Sequence, residues 1–150
     1  MTVMLAVLLA AKAIVVPEGQ DRNYDEYHFA PAIRVGDLVI VSGIPAAKGD
    51  TYQAKVRNMF ERLKKTLAAA GAEMSDVVEL QSFHMSAGTE AFQKEFAELE
   101  KIHHEYFPEA YPAWTAVGTT ALLAPGAVLE MRALAVIGAG KAIVQRAQKK

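Results

Sequence analysis

The stretch AIRVGDLVIVSGIPAAKGDTYQAKVRNMFERLKKTLAAAG, residues 32–71, decides the fold class. It opens with two β-rich runs, Ala32 to Val35 and Leu38 to Ser42, separated by Gly36-Asp37. A two-residue Gly-Asp link between such runs is a hairpin signal. Ile44 to Asp50 reads as a loop. From Thr51 to Ala70 the pattern changes. Val56, Met59, Phe60, Leu63 and Leu67 recur at helical spacing and form one apolar stripe. Lys55, Arg57, Glu61, Arg62, Lys64 and Lys65 coat the other side. Asp50 or Thr51 can cap the start, and Gly71 suits the position just past the end. A hairpin followed by an amphipathic helix is the beginning of an α+β domain.

The same reading extends in both directions. Ala13 to Val16 is a short β-type run stopped by Pro17, and EGQDRNYDEYH after it reads as a loop. Val77 to Met85 reads as a strand. Thr89 to Tyr106 reads as a second helix, with Phe92, Phe96, Leu99 and Tyr106 on its apolar side; Pro108 and Pro112 end it. Ala113 to Thr120 and Val128 to Val136 are the last strands, joined through Pro125-Gly126. The predicted order is β, β-hairpin, α, β, α, β, β: a mixed sheet with helices on one face. Apolar residues occupy both strand parities, Val39, Val41, Val117 and Leu129 among them, so the second face also needs cover. Self-association through the sheet supplies it.

Bulk properties narrow the function. At 150 residues the chain forms one domain, 1–150. Residues 1–12 read as an extension and 138–150 as a mobile or weakly helical tail. The chain is 52% apolar and 22% charged, a globular composition, and its formal charge of −1 gives no steering toward nucleic acid or an anionic membrane. It has no cysteine, which excludes disulfides, thiolate nucleophiles and cysteine-ligated zinc and fits a reducing, cytoplasmic compartment. The apolar run MTVMLAVLLAA lacks a basic leader, since the first lysine is Lys12, and is too short to span a membrane. It reads as a strand or loose extension rather than an export signal.

Three stretches together resemble the reactive-intermediate deaminase family (RidA/YjgF, also labelled endoribonuclease L-PSP). They are FAPAIRVGDLVIVSG (29–43), QAKVRNMFERLKKTLAAAGAEMSDVV (53–78) and YPAWTAVGTTALLAPGAVLEMRALAV (111–136). The family patterns they follow are Y-S-x-A-x-x-x-G-x-x-x-x-S-G, A-A-G-x-x-x-x-D-V-V, and P-A-R-x-x-x-x-V with V-E-I-E-A-I-A. The resemblance implies a chorismate-mutase-like α+β fold, a homotrimer, and a ligand cleft between each pair of subunits. It also implies hydrolysis of small imines or enamines such as 2-aminoacrylate to keto acids and ammonia, with no metal or cofactor.

Carried over position by position, the family's water-handling glutamate is Glu130, and its strand-ending Ser-Gly is Ser42-Gly43. Phe29 stands where a tyrosine is usual, and Ala116 where a cysteine is common. The substrate-carboxylate arginine is replaced by Trp114, the only tryptophan. Tryptophan offers a flat apolar face and one N–H, but no charge. Trp114 and Phe29 therefore suit a ligand more apolar, planar or cationic than an imino acid, and Trp114 as plain packing is the competing reading. Turnover of the usual imino acids is expected to be weak or absent.

Glu130 sits in the apolar run LEMRALAV, where an acid needs a reason. It is either a general base or water-positioning group, or the ion-pair partner of Arg132, which shares its strand face. Arg132 could alternatively replace the missing clamp. His84 reads as a candidate proton shuttle at a strand end, and His28 can reach the cleft mouth. His103 and His104 diverge by about 100° on a helix and read as surface residues rather than metal ligands. Two functions compete: a cofactor-free hydrolase with Glu130 handling water, or a small-molecule-binding trimer without chemistry. RNA binding or cleavage is weakest, since no basic strip or exposed aromatic platform is visible.

Overall fold

A computed structural model describes residues 11–147. The expectations for residues 1–10 lie outside that range. Ten elements follow in chain order: β1 (Lys12–Val15), α1 (Asp21–Asp25), β2 (Ala32–Val35), β3 (Leu38–Pro45), α2 (Tyr52–Ala69), a 3-10 turn at Met74–Asp76, β4 (Val77–Met85), α3 (Thr89–Tyr106), β5 (Ala113–Thr119) and β6 (Leu129–Val136). The strands form one mixed sheet in the order β1-β2-β3-β6-β4-β5. Only β4 and β5 run parallel, as the α3 crossover between them requires. All other pairings are antiparallel.

The expected hairpin forms, with Gly36 at φ 60° in the turn. The α2 stripe is buried as patterned: Val56, Met59, Phe60, Leu63 and Leu67 all enter the core. The Thr51 side chain accepts from the Ala54 N–H at 3.1 Å and caps the helix. Helices α2 and α3 lie side by side, tied at their outer rim by a two-pronged Arg57–Glu105 pair at 3.0 and 2.6 Å. They cover one face of the sheet. On that face Val39, Val41, Leu80, Leu129, Met131, Ala133 and Ala135 are buried.

Three details depart from the pattern. The loop after β1 contains a five-residue helix, α1, with no buried residue and hence no apolar stripe to betray it. Strand β3 continues past Ser42 to Pro45 through a register shift between Val41 and Ile44, a bulge that re-aims the Ser42-Gly43 pair. The C-terminal tail shows no helix over 138–147, and its start is docked. The Asp76 carboxylate accepts from the Gly138 and Gly140 N–H groups at 3.0 and 3.2 Å.

The sheet's other face has no layer over it among the described residues. It presents Ile14, Ile33, Val35, Leu38, Ile40, Phe83, Val117, Leu134 and Val136, all exposed or half-buried. This is the two-sided apolar pattern that the strand parities predict.

Candidate functional site

Strand β6 sends its side chains to the two faces in strict alternation. Leu129, Met131, Ala133 and Ala135 go to the helices; Glu130, Arg132 and Leu134 go to the open face. Glu130 lies beside the β3 bulge. A Cβ added at Gly43 would sit 2.0 Å from Glu130 Oε1 and 2.7 Å from its Cδ, so the carboxylate occupies the space that a side chain at 43 would fill. Ser42 is fixed from the other side: its Oγ donates to the Ala30 carbonyl at 2.7 Å, and its N–H to the Pro31 carbonyl at 3.0 Å. These bonds bring the 28–31 segment to the bulge. Phe29 in that segment is 38% exposed. His28 beside it is the one non-glycine residue with positive φ, 58°, among the described residues. The structure thus gathers Glu130, Ser42, Gly43 and the Phe29 segment into one neighbourhood.

Glu130 and Arg132 share a face, but they form no ion pair: the pairs among the described residues are Arg22–Glu26, Arg57–Glu105 and Lys101–Glu98. The purely structural reading of Glu130 loses its partner. Both side chains are half-buried on an otherwise apolar surface.

Trp114 goes elsewhere. It pairs in register with buried Leu80 and points to the helix side of edge strand β5, the side opposite to Glu130. Ala116 and Gly118 follow it on that side, opposite Ser82 and His84. The expectation that Trp114 and Glu130 line one cleft therefore does not hold within a single chain. Trp114, Ala116 and Gly118 share the helix-facing row of β5, and the sheet stands between the indole and the carboxylate. The indole stacks on His103, with ring centroids 4.5 Å apart, and tilts against Phe96 at 4.9 Å. Its N–H donates to Ser82 Oγ at 2.9 Å. The one polar group of Trp114 is thus already used inside the chain. The indole still borders a shallow groove of about 640 Å³, with Phe96, Glu100, Lys101, His103 and Tyr111.

Two histidines need correction. His84 stands at the end of β4, as read, but is fully buried. Its Nε2 lies 2.8 Å from Ser82 Oγ, and it packs against Phe92 with ring centroids 4.8 Å apart. Burial pushes its pKa down to about 4, so it is neutral at pH 7. His103 is 6% exposed rather than a surface residue, because it continues the stacked column from Trp114 to Phe107. Burial, and then the neighbouring His104, push it down to about 4 as well. His104 is exposed, as expected. The buried relay Trp114–Ser82–His84 escaped the sequence reading. Its only advance signal is Ser82 and His84 on the inward parity of β4, two residues apart. Among the described residues no group of three or more His, Cys, Asp or Glu side chains could hold a metal ion.

With this geometry established, comparison with known proteins is direct. The family model Endoribonuclease L-PSP matches residues 20–137. The chain belongs to that family, the family of RidA, YjgF and RutC proteins. The RutC family protein YjgH of Escherichia coli (strain K12) is 35% identical over 118 residues, which cover 75% of this chain and 86% of YjgH. The 3-aminoacrylate deaminase RutC of Acinetobacter baylyi is 30% identical over 134 residues, covering 83% of this chain and 97% of RutC. The solved structure of a YJGH protein superposes with a TM-score of 0.72 at 34% identity, covering 84% of this chain and 96% of that one. The α+β architecture with its mixed six-stranded sheet is that of the RidA/YjgF family. No helix of the described residues is long and apolar enough to cross a membrane.

Proposed function

We propose that this RidA-family protein is a cofactor-free hydrolase of a small imine, enamine or related metabolite, acting at clefts between the subunits of a homotrimer. The observation that carries the reading is Glu130: an acid on an apolar sheet face, unpaired with Arg132 and seated over Gly43, where a side chain would collide with it. Evolution of ammonia from an imine needs water to add to carbon and a proton to reach nitrogen. Glu130 can take a proton from the attacking water as the C–O bond forms and pass it to the nitrogen, giving a carbinolamine, then take the hydroxyl proton and pass it to the nitrogen as the C=O bond forms and the C–N bond breaks. The products are a carbonyl compound and ammonia, and the carboxylate ends as it began.

The trimer supplies what one chain does not. Glu130 faces the open side of the sheet, while Trp114 lies on the helix side of its edge strand. The two can border one cleft when they come from different subunits, with the apolar open face as the surface of association. Trp114 in place of a carboxylate-binding arginine sets this chain apart as a divergent form of the family. Its ligand takes no charge from position 114, since an indole has none, and no free N–H either, since that donor is held by Ser82.

The test is ammonia release from a panel of freshly generated imines and enamines, neutral and anionic. Glu130→Gln keeps the shape and removes the base, and should lower turnover about 10²–10⁴-fold while ligand affinity stays within about twofold. Turnover unchanged in that variant would sink the assignment. The alternative, a binding trimer without chemistry, is favoured by the lost clamp at 114; it predicts ligand-dependent thermal stabilisation with no product from any compound of the panel.

A further inference from the structure

Among the described residues, His28 alone combines a side chain with a left-handed backbone, at φ 58°. For an L-residue that region costs a factor of roughly 5–30 in population. A β-branched residue scarcely enters it, whereas asparagine and glycine do. The imidazole does not offset the cost: it is exposed and makes no hydrogen bond to the described residues. Core packing does not impose the turn either, since α1 before it buries no side chain. The gain must lie in the backbone on either side.

Before His28, the Glu26 and Tyr27 N–H groups both donate to the Arg22 carbonyl at 3.0 Å and close α1. After it the chain doubles back, and the Phe29 N–H donates to the Asn23 carbonyl at 3.0 Å. That carbonyl is tied to the core. Asn23 donates its N–H to the Gln20 carbonyl at 3.0 Å and its side-chain amide to Gln20 Oε1 at 3.3 Å. Gln20 Nε2 donates in turn to Oγ1 of Thr66, a buried residue of α2, at 3.2 Å. On the far side, Ser42 donates to the Ala30 and Pro31 carbonyls. Residues 29–31 are therefore clamped between two anchors: Thr66 through α1, and the β3 bulge beside Glu130. The chain leaves α1 and enters this clamp by turning at residue 28.

We infer that His28 is a positioning residue of the Glu130 site: its left-handed backbone, rather than its imidazole, seats Phe29 beside Ser42, Gly43 and the carboxylate. This rests on the reading of Glu130 as the reactive group. Strained backbone persists where its surroundings over-determine it, and such places cluster at sites of binding and chemistry. Here the strain falls in a segment, 21–29, without a buried side chain, and the hydrogen bonds that follow it end at the bulge. Its effect is on the site more than on the fold.

Amide hydrogen exchange and ammonia release, both measured on the full chain, test the inference. The Phe29 and Ser42 N–H groups report on the clamp. His28→Val cannot hold the turn, and should speed exchange at Phe29 at least about tenfold, and at Ser42 by less, while the amides of α2 exchange as in the wild type. With the imine or enamine that the wild type turns over fastest as substrate, kcat/KM should fall about 10–100-fold in that variant. His28→Asn and His28→Gly accept positive φ, and should bring protection and turnover back to within about threefold of the wild type. Gln20→Ala cuts the tie to Thr66 without touching residue 28, and should also speed exchange at Phe29. Should His28→Val not fold, Gln20→Ala decides: exchange or turnover unchanged in it overturns the clamp. Exchange at Phe29 unchanged in His28→Val, turnover untouched there despite faster exchange, or no rescue by asparagine and glycine would each overturn the positioning role. Failure of the hydrolase reading looks different: valine opens the clamp, asparagine closes it, and the wild type releases no ammonia from any compound. The turn then holds Phe29 at a site without that chemistry.

Discussion

The two faces of the sheet are built by the same strands to opposite standards of completion. The helix face is a finished core. Its apolar residues are covered by α2 and α3, and the polar atoms placed there are mostly internally matched: Trp114 to Ser82, Ser82 to His84. The open face has as many large apolar side chains but no cover, and its polar groups Glu130, Arg132 and Thr115 have no partners among the described residues. The difference teaches that an unmatched group means different things on the two sides. On the helix face it is a cost to folding. On the open face it is capacity for something outside the chain, a second subunit or a ligand.

The sharpest way to break this comparison is to make the open face unfit for cover. Leu134 pairs with Ile40 in the middle of that face. Leu134→Asp would place an unpaired carboxylate in the surface proposed for association. Assembly should weaken by about 4 kcal/mol or more, about a thousandfold in concentration, and sedimentation at micromolar concentration should show monomer. A trimer of unchanged affinity would mean that this face is not where subunits meet.

The next effect belongs to the helix face and to pH. His84 and His103 are held neutral by burial, each with a folded pKa of about 4 against an ordinary value of 6.5. Below 6.5 the unfolded chain takes up protons that the folded chain refuses. Stability contributed by each neutral histidine is therefore complete above pH 6.5 and is lost as pH falls toward 4, at most about 3 kcal/mol for each. Urea unfolding followed from pH 7 to pH 4.5 should show this decline. His84→Phe should flatten it; His104→Phe, at an exposed position, should not. A decline that His84→Phe leaves intact would assign the pH dependence to carboxylates instead.

Gly43 sharpens the comparison within the open face. The atoms nearest an added Cβ belong to a flexible side chain, Glu130: its Oε1, Cδ and Cγ. Gly43→Ala should therefore cost little stability, under about 1 kcal/mol, yet displace the carboxylate. A misplacement of that size commonly costs about 10²-fold in rate. Thermal unfolding and ammonia release measured side by side separate the two. A rate unchanged in Gly43→Ala would mean that Glu130 need not sit where it does.

Most of the fold was legible because its signals were local. Strand β4 and helix α3 match the sequence reading at both ends, and the α2 stripe was visible in residue spacing alone; of the two cap candidates, Asp50 and Thr51, the structure uses Thr51. The need to cover both sheet faces was visible in strand parity. What escaped depends on who meets whom. Strand parity places Trp114 and Glu130 on definite sides of their own strands, but parity alone does not say which side of β5 matches which side of β6. The register, Leu80 beside Trp114 and Phe83 beside Glu130, settles that they face apart. His103 looked like half of a polar pair on a helix surface. It is buried because Trp114 and Phe107 close around it; Phe107 stands at i+4, a local signal that went unused, while the Trp114 contact is not encoded near it in spacing. Of the candidate site, Glu130, Ser42 and Gly43 were found through the resemblance, and their neighbourhood depends on a β-bulge that no periodicity announces.

The smallest expected effect tests whether the helix face is as finished as it looks. Ser82 Oγ accepts the indole N–H of Trp114 and lies 2.8 Å from His84 Nε2. Whichever of its nitrogens carries the proton, His84 keeps Nδ1 as a buried atom without a partner. The relay therefore already carries one unmatched end. Ser82→Ala would leave the indole N–H and His84 Nε2 unmatched too, and should cost about 2 kcal/mol. Because Trp114 is the only tryptophan, its emission reports on this site alone. Loss of the hydroxyl should shift that emission and lower the thermal midpoint by about 4–8 °C. Thr115→Ala, on the adjacent residue but the opposite face, should leave both unchanged. If the two substitutions behaved alike, the hydrogen bond to the indole would contribute nothing, and Trp114 would be held by its stacking on His103 and Phe96 alone.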